Sequence, residues 1–303
     1  MSTLDKLLWP FWNEEQRRIR TLWRIIAFGL LLLFFNTLLG LLAWSVLLRE
    51  TLVVMQTISV LATLFSMLVA ARVLDRRPFV DFGFHLGPAW WRDFGMGFVL
   101  GALLMTGIFL LEWAAGWLTV ERLFVAPPGR PFIVALLAAV WLFIAVAINE
   151  EGIARGYLLL NLAEGLRLPI LGPRGAVYLA WLLSSLFFGL MHMFNPNVTF
   201  LSIVNLCVAG LFLGFAYIRT SELALPIGLH FSWNFFQGNV YGFPVSGLDA
   251  VRNTTVILVR MHGPPLWTGG PFGPEGGLVG LGAIVIGSVL VWWWTRERQC
   301  LFG

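Results

Sequence analysis

PFIVALLAAVWLFIAVAINEEGIARG, residues 131–156, decides how the whole chain is read. Eighteen positions from Pro131 to Ile148 are almost without polar side chains, and then Asn149, Glu150 and Glu151 follow at once, with Arg155 close behind. A run of that kind spans a hydrocarbon core of about 30 Å as a helix. Four residues apart on that helix, Glu151 and Arg155 face each other and can neutralise one another, which leaves Glu150 as the odd charge. A lone ionisable group at membrane depth costs about 2.5–3.5 kcal/mol on insertion scales and marks a functional site by default.

The rest of the chain has the same character. Of its 303 residues 58% are hydrophobic and 12% charged, against roughly 25% charged in soluble domains, and the mean hydropathy is +0.82. We expect an all-α, polytopic membrane bundle of about eight helices, at 21–48, 51–74, 94–119, 131–163, 173–194, 199–219, 223–243 and 277–295. Residues 1–20, with Trp9 and Trp12, read as an interfacial lead-in without the apolar core and cleavage site of a signal peptide. In domain terms this gives N-terminal helices over 21–119, a core over 131–243, a glycine- and proline-rich loop over 244–276 covering the non-cytoplasmic face, and a last helix and tail over 277–303.

Basic residues cluster on alternate connections, among them Arg17, Arg18 and Arg20, Arg72 to Arg77, Arg167 and Arg174, Arg219, and Arg296 and Arg298. That bias places both termini in the cytoplasm. The net charge of +4, spread over segment ends, suits lipid head groups and excludes a nucleic-acid surface. Cys207 and Cys300 form neither a disulfide framework nor a metal motif. The terminal Cys300-Leu301-Phe302-Gly303 has the outline of a prenylation box, but glycine is not a usual last residue there, so we read it as coincidence. Gly97 with Gly101, and Gly210 with Gly214, are small-xxx-small pairs that allow close helix packing.

Two further apolar stretches each carry one histidine with a companion four residues away: Phe188 to His192, and His230 to Asn234. Hydrolysis of a peptide needs a base to activate water and donors where the carbonyl oxygen becomes negative. Glutamate and histidine supply the first, histidine and asparagine the second. The ordinary readings are a solvated helix end for Glu150 and Glu151, a capped helix end for His192, and an interhelical hydrogen bond for His230 and Asn234. His85 reads as structural.

The ordered set Glu150-Glu151-x-x-x-Arg155, Phe188-x-x-x-His192 and His230-x-x-x-Asn234 resembles the CAAX-processing and bacteriocin-immunity family of intramembrane proteases, which includes the type II CaaX prenyl endopeptidases. The likeness extends over about 131–240, and Ala154 departs from the aromatic residue more usual before the arginine. It implies that Glu150 and His192 hold and deprotonate the attacking water, that His230 and Asn234 stabilise the oxyanion, and that Glu151 and Arg155 form a supporting pair. Partial dehydration would make the Glu150 carboxylate a better base. Glu150, His192 and His230 are also ligands that zinc accepts, although a metal-independent site is preferred here. The expected partners are the bilayer and a membrane-associated protein or peptide, such as a prenylated CaaX-type substrate, and the expected location is a bacterial cell membrane. Two rival readings are a non-enzymatic membrane partner or immunity protein, and a proton-coupled transporter relaying through Glu112, Glu150 and Glu151.

Depth poses a difficulty. Measured from the cytoplasmic start of each span, His192 lies about 28 Å in and His230 about 10 Å in, at 1.5 Å per residue. The two meet only if the fifth helix starts inside the cytoplasm, if the Thr220 to Pro226 connection is recessed, or both; we expect both, with water entering from the cytoplasmic side.

Overall fold

The computed structural model describes residues 10–14, 16–47 and 51–298. Trp9 with the rest of the lead-in before Pro10, and Cys300 with the tail to Gly303, lie outside the described residues. Helices dominate: α1 (Thr21–Leu47), α2 (Leu52–Val69, continued by a π-helical Ala70–Asp75), α3 (Pro88–Ala114), α4 (Phe132–Gly165), α5 (Gly172–Leu190), α6 (Phe200–Thr220), α7 (Ala224–Phe235, continued by a π turn to Val240) and α8 (Leu278–Thr295). All but α7 are long and apolar enough to cross a membrane, giving seven such helices among the described residues. Large apolar side chains such as Leu33, Leu103, Leu137 and Val289 are exposed on the outside of the bundle, where an acyl phase rather than water must face them. The protein is an integral, multi-pass membrane protein.

Two small antiparallel ribbons depart from an all-helical expectation. One pairs β1 (Trp12–Asn13) with β2 (Arg18–Ile19); the other pairs β3 (Leu118–Val125) with β4 (Thr255–Met261). The second ties the connection after α3 to the 241–277 loop, so that loop is folded across the face of the bundle opposite the termini. The strand signal is visible in retrospect, since Thr255 to Met261 is rich in β-branched residues.

The described ends share one face. Arg18 reaches Glu164 at 3.0 Å, Arg77 reaches the same carboxylate at 2.6 Å, and the buried Arg24 is paired with Asp75. At the other end of the chain Arg298 bonds Asp93 at 2.5 Å, and Arg219 bonds the Thr295 hydroxyl at 3.1 Å. Several arginines counted toward the charge bias are therefore engaged with buried or half-buried acids.

The glycine pairs sit where backbones touch. A Cβ at Gly101 of α3 would fall 2.6 Å from the Leu229 carbonyl of α7, and one at Gly210 of α6 would fall 2.8 Å from the Ser185 carbonyl of α5. Both distances are below any real carbon–oxygen contact, so only glycine allows these approaches.

The span expected at 223–243 is corrected by the structure. Helix α7 has 12 residues and reaches 17 with its π continuation to Val240, short of the about 20 that a crossing takes. Its start is lifted off the termini's face: the Leu223 N–H bonds the Gly83 carbonyl at 3.0 Å, and Leu223 packs beside Gly156 in the middle of α4. The 75–93 segment supports it from below, with Phe82 fully buried and Trp90 Nε1 also bonding the Gly83 carbonyl at 2.9 Å. Of the two arrangements expected to bring His192 and His230 to one depth, the recessed connection is observed.

Candidate active site

Helix α4 carries the carboxylates at its middle. Its backbone is α-helical through Glu151 and π-helical from Gly152 to Leu159. Such widened turns occur where a helix must re-aim its side chains. Gly152 and Gly156 make room for α2 and for Leu223, with Met67 and Leu223 side-chain atoms about to touch any added Cβ at 3.2 and 3.1 Å. Glu151 and Arg155 are both fully buried and paired at 2.8 Å. The guanidinium also donates to the Gly210 carbonyl at 2.9 Å and lies 4.4 Å above the Phe188 ring. The same Glu151 oxygen takes the Nδ1 of His230 at 2.8 Å. Because a carboxylate only accepts, His230 must carry its proton on Nδ1 and turn Nε2 toward the cavity.

His192 lies just past the end of α5, in the turn after Leu190. Its Nδ1 faces the Phe188 carbonyl at 2.9 Å, so this ring too is protonated on Nδ1 with Nε2 turned inward. Phe188 is wedged between the two imidazoles, with centroids 5.2 Å from His192 and 5.9 Å from His230. The F-x-x-x-H spacing thus does two things, supplying a carbonyl and a ring wall.

Glu150 stands opposite both. Its Oε2 is 3.9 Å from His192 Nε2 and 3.9 Å from His230 Nε2, and it has no hydrogen-bond partner among the described residues. That separation exceeds a direct hydrogen bond and suits a water shared among the three. Asn234 lines the same cavity one helical turn beyond His230. The cavity measures about 310 Å³ and is walled mainly by apolar side chains, including Phe143, Leu206, Phe212, Leu213 and Leu229.

All six residues singled out in the sequence are gathered here: Glu150, His192, His230 and Asn234 on the cavity, Glu151 and Arg155 directly behind it. Glu112 is elsewhere on α3, buried with neither carboxylate oxygen partnered among the described residues, and does not line the cavity. His85 bonds Glu222 at 2.8 Å on the termini's face. Burial raises the Glu222 carboxyl while the adjacent imidazole opposes that shift.

Access differs from the expectation. The lining draws on Gln56 near the start of α2, Asn195 beyond α5, and Ser246, Leu248, Val251 and Glu275 of the 241–277 loop, but on nothing from 75–93 or 214–228. The cavity therefore lies toward the face opposite the termini. Four of its polar residues escaped sequence reading: Gln56, Asn195, Ser246 and Glu275. One signal that could have found them was that Glu275 is the only acid between Asp249 and Glu297.

For zinc, the donors match poorly. Among the described residues no group of three or more His, Cys, Asp or Glu side chains is arranged to hold a metal ion.

Neither a curated protein nor a solved structure matches the chain with significance. A protein-family profile does, over the segment that carries every one of these motifs. Residues 132–236 match the family model described as type II CAAX prenyl endopeptidase Rce1-like.

Proposed function

We propose that the protein is an intramembrane endopeptidase that hydrolyses a peptide bond in a membrane-associated substrate of the prenylated CaaX type. The reading is carried by one observation: the unpartnered Glu150 oxygen equidistant from two imidazole nitrogens inside an apolar cavity.

In this reading a water held between Glu150 and His192 loses its proton to the carboxylate as it attacks the scissile carbonyl. Charge then builds on the carbonyl oxygen. Asn234 donates to it through its amide, and His230 donates through Nε2. Since His230 already gives its Nδ1 proton to Glu151, donation from Nε2 requires the doubly protonated ring. Glu151 is the counter-charge that such a ring needs, and Arg155 pairs with Glu151 and fixes its position. Collapse of the tetrahedral intermediate returns the proton from Glu150 to the leaving amine. No covalent enzyme intermediate and no metal enters these steps. The apolar walls suit a substrate with a lipid chain next to the scissile bond.

The test is cleavage of an internally quenched farnesylated CaaX-type peptide by the purified protein in proteoliposomes, with and without a strong chelator. Expected are turnover unaffected by the chelator, and its loss in Glu150→Ala, His192→Ala and His230→Ala with membrane insertion intact. Retained turnover in any of these contradicts the role given to that residue. Solute flux without cleavage would favour a transporter, and neither activity a binding protein.

A further inference from the structure

Glu275 lies far outside the family-matched segment, yet it is only 5% exposed and lines the same cavity as Glu150. Its carboxylate gathers three donors. One oxygen accepts the Ser246 N–H at 2.5 Å and the Ser246 hydroxyl at 3.3 Å; the other accepts Gln237 Nε2. Gln237 belongs to the π turn that continues α7, two turns past His230, and also bonds the Pro244 carbonyl at 2.6 Å. Ser246 is held in the left-handed region, at φ 48°, with its carbonyl turned to Asn195 Nδ2 at 2.9 Å. The Asn195 N–H in turn bonds the His192 carbonyl at 3.0 Å. Beside it Asn197 Nδ2 bonds the Gly247 carbonyl at 3.4 Å, and Gly247, at φ 81°, lies so close to the Pro196 carbonyl that no side chain fits.

This chain of contacts joins the helix of His230 to the turn of His192. His192 needs it, because it lies past the end of α5, where its backbone is tied to the helix only through its N–H to the Gly189 carbonyl at 3.1 Å. Its ring is otherwise oriented by the Phe188 carbonyl. A loop of glycines and prolines could be stapled by backbone bonds alone. A buried carboxylate is a costly staple, and what it offers beyond an amide is two oxygens that both only accept, so that N–H, O–H and amide donors from separate segments converge on one group. Resting on the hydrolytic reading of the site, we propose that Glu275 is a positioning residue: through Ser246 and Asn195 it sets where the His192 imidazole stands relative to Glu150.

Displacement of a catalytic group by about 1 Å can cost about a hundredfold in rate. Full-length protein in detergent micelles is assayed on the quenched farnesylated peptide as wild type, Glu275→Ala, Glu275→Gln, Asn195→Ala and the double alanine variant. Expected are a kcat lowered about ten- to a hundredfold in Glu275→Ala with KM within about twofold, and a double variant no slower than the worse single. Glu275→Gln, which keeps one acceptor oxygen for the Ser246 N–H, recovers part of the rate. Alongside, spectra of 15N-histidine protein follow four imidazoles: the His192 signals move in Glu275→Ala and Asn195→Ala, while those of His85 and His262 stay. An unmoved His192 signal overturns the proposal whether or not the peptide is cleaved, as does a multiplicative loss in the double variant. Absence of cleavage by wild type with a shifting His192 signal overturns the hydrolytic reading alone. Should Glu275→Ala not fold, Asn195→Ala decides by the same readouts.

Discussion

Removing one partner of the Glu151–Arg155 pair should be far more damaging than removing both. The two side chains are wholly buried and joined at 2.8 Å, and with charge centres about 4 Å apart their attraction is about 4 kcal/mol at an effective dielectric of about 20. Arg155→Leu leaves Glu151 buried with only His230 for company; Glu151→Leu leaves a guanidinium facing the Gly210 carbonyl and the Phe188 ring. Either single change should cost about 3–5 kcal/mol, because an uncompensated buried charge remains, whereas the double leucine variant should recover a large part of that loss. Catalysis should behave differently. His230 loses its Nδ1 acceptor in both Glu151→Leu and the double variant, so neither should turn over substrate however stable it is. Thermal unfolding in micelles read beside peptide cleavage separates the two effects. Stability losses that simply add in the double variant would refute the claim of a coupled buried pair, and cleavage by the stable double variant would refute the claim that Glu151 orients His230.

Glu150→Gln should keep the fold and lower kcat by about 10²–10⁴-fold, the usual worth of a general base, as read by initial rates at saturating peptide. Asn234→Ala should lower kcat by about 10²–10³-fold with little change in KM, as for other single oxyanion donors. Gly101→Val should destabilise by about 1–3 kcal/mol through overpacking, and should also slow cleavage, because the α3–α7 contact it forces apart lies one residue from His230; melting and rate measured together check both. Burial pushes the Glu275 carboxyl up to about 7 against its hydrogen bonds. A folded-state value above the unfolded one means that the contribution is whole below pH about 4.5 and lost as pH rises through about 7, on the order of 3 kcal/mol. The melting temperature of wild type minus that of Glu275→Gln should therefore fall across that window, and a flat difference would contradict it.

The helices were legible because each is a long apolar run bounded by arginine or proline, and the gathering of six site residues was legible because charges and imidazoles placed in such runs seldom serve packing alone. The spacing of Glu151 and Arg155 foretold their ion pair even though the backbone there is π-helical, since both periodicities bring them to one side. Three things were not legible. The shortness of α7 follows from how the 75–93 segment packs beneath it, a contact between residues more than a hundred positions apart such as Gly83 and Leu223. The cavity's direction depends on where the 241–277 loop folds, and glycine and proline carry no periodic signal. The role of Asn195 and Glu275 arises only when two turns meet, one on each side of the cavity.

The truncated α7 has a consequence for topology. Seven full crossings, an odd number, would send the two ends of the chain to opposite compartments, yet Arg18 and Arg298 lie on the same side of the bundle, beside Glu164 and Asp93. Parity is restored by α7 together with the folded loop above it, which jointly traverse the protein without ever presenting a continuous greasy cylinder to lipid. A count of crossings that leaves out α7 and its loop would reverse the sidedness of everything downstream of Thr220, and reporter fusions at Ser246 and after Thr295 would reveal the missing half-step.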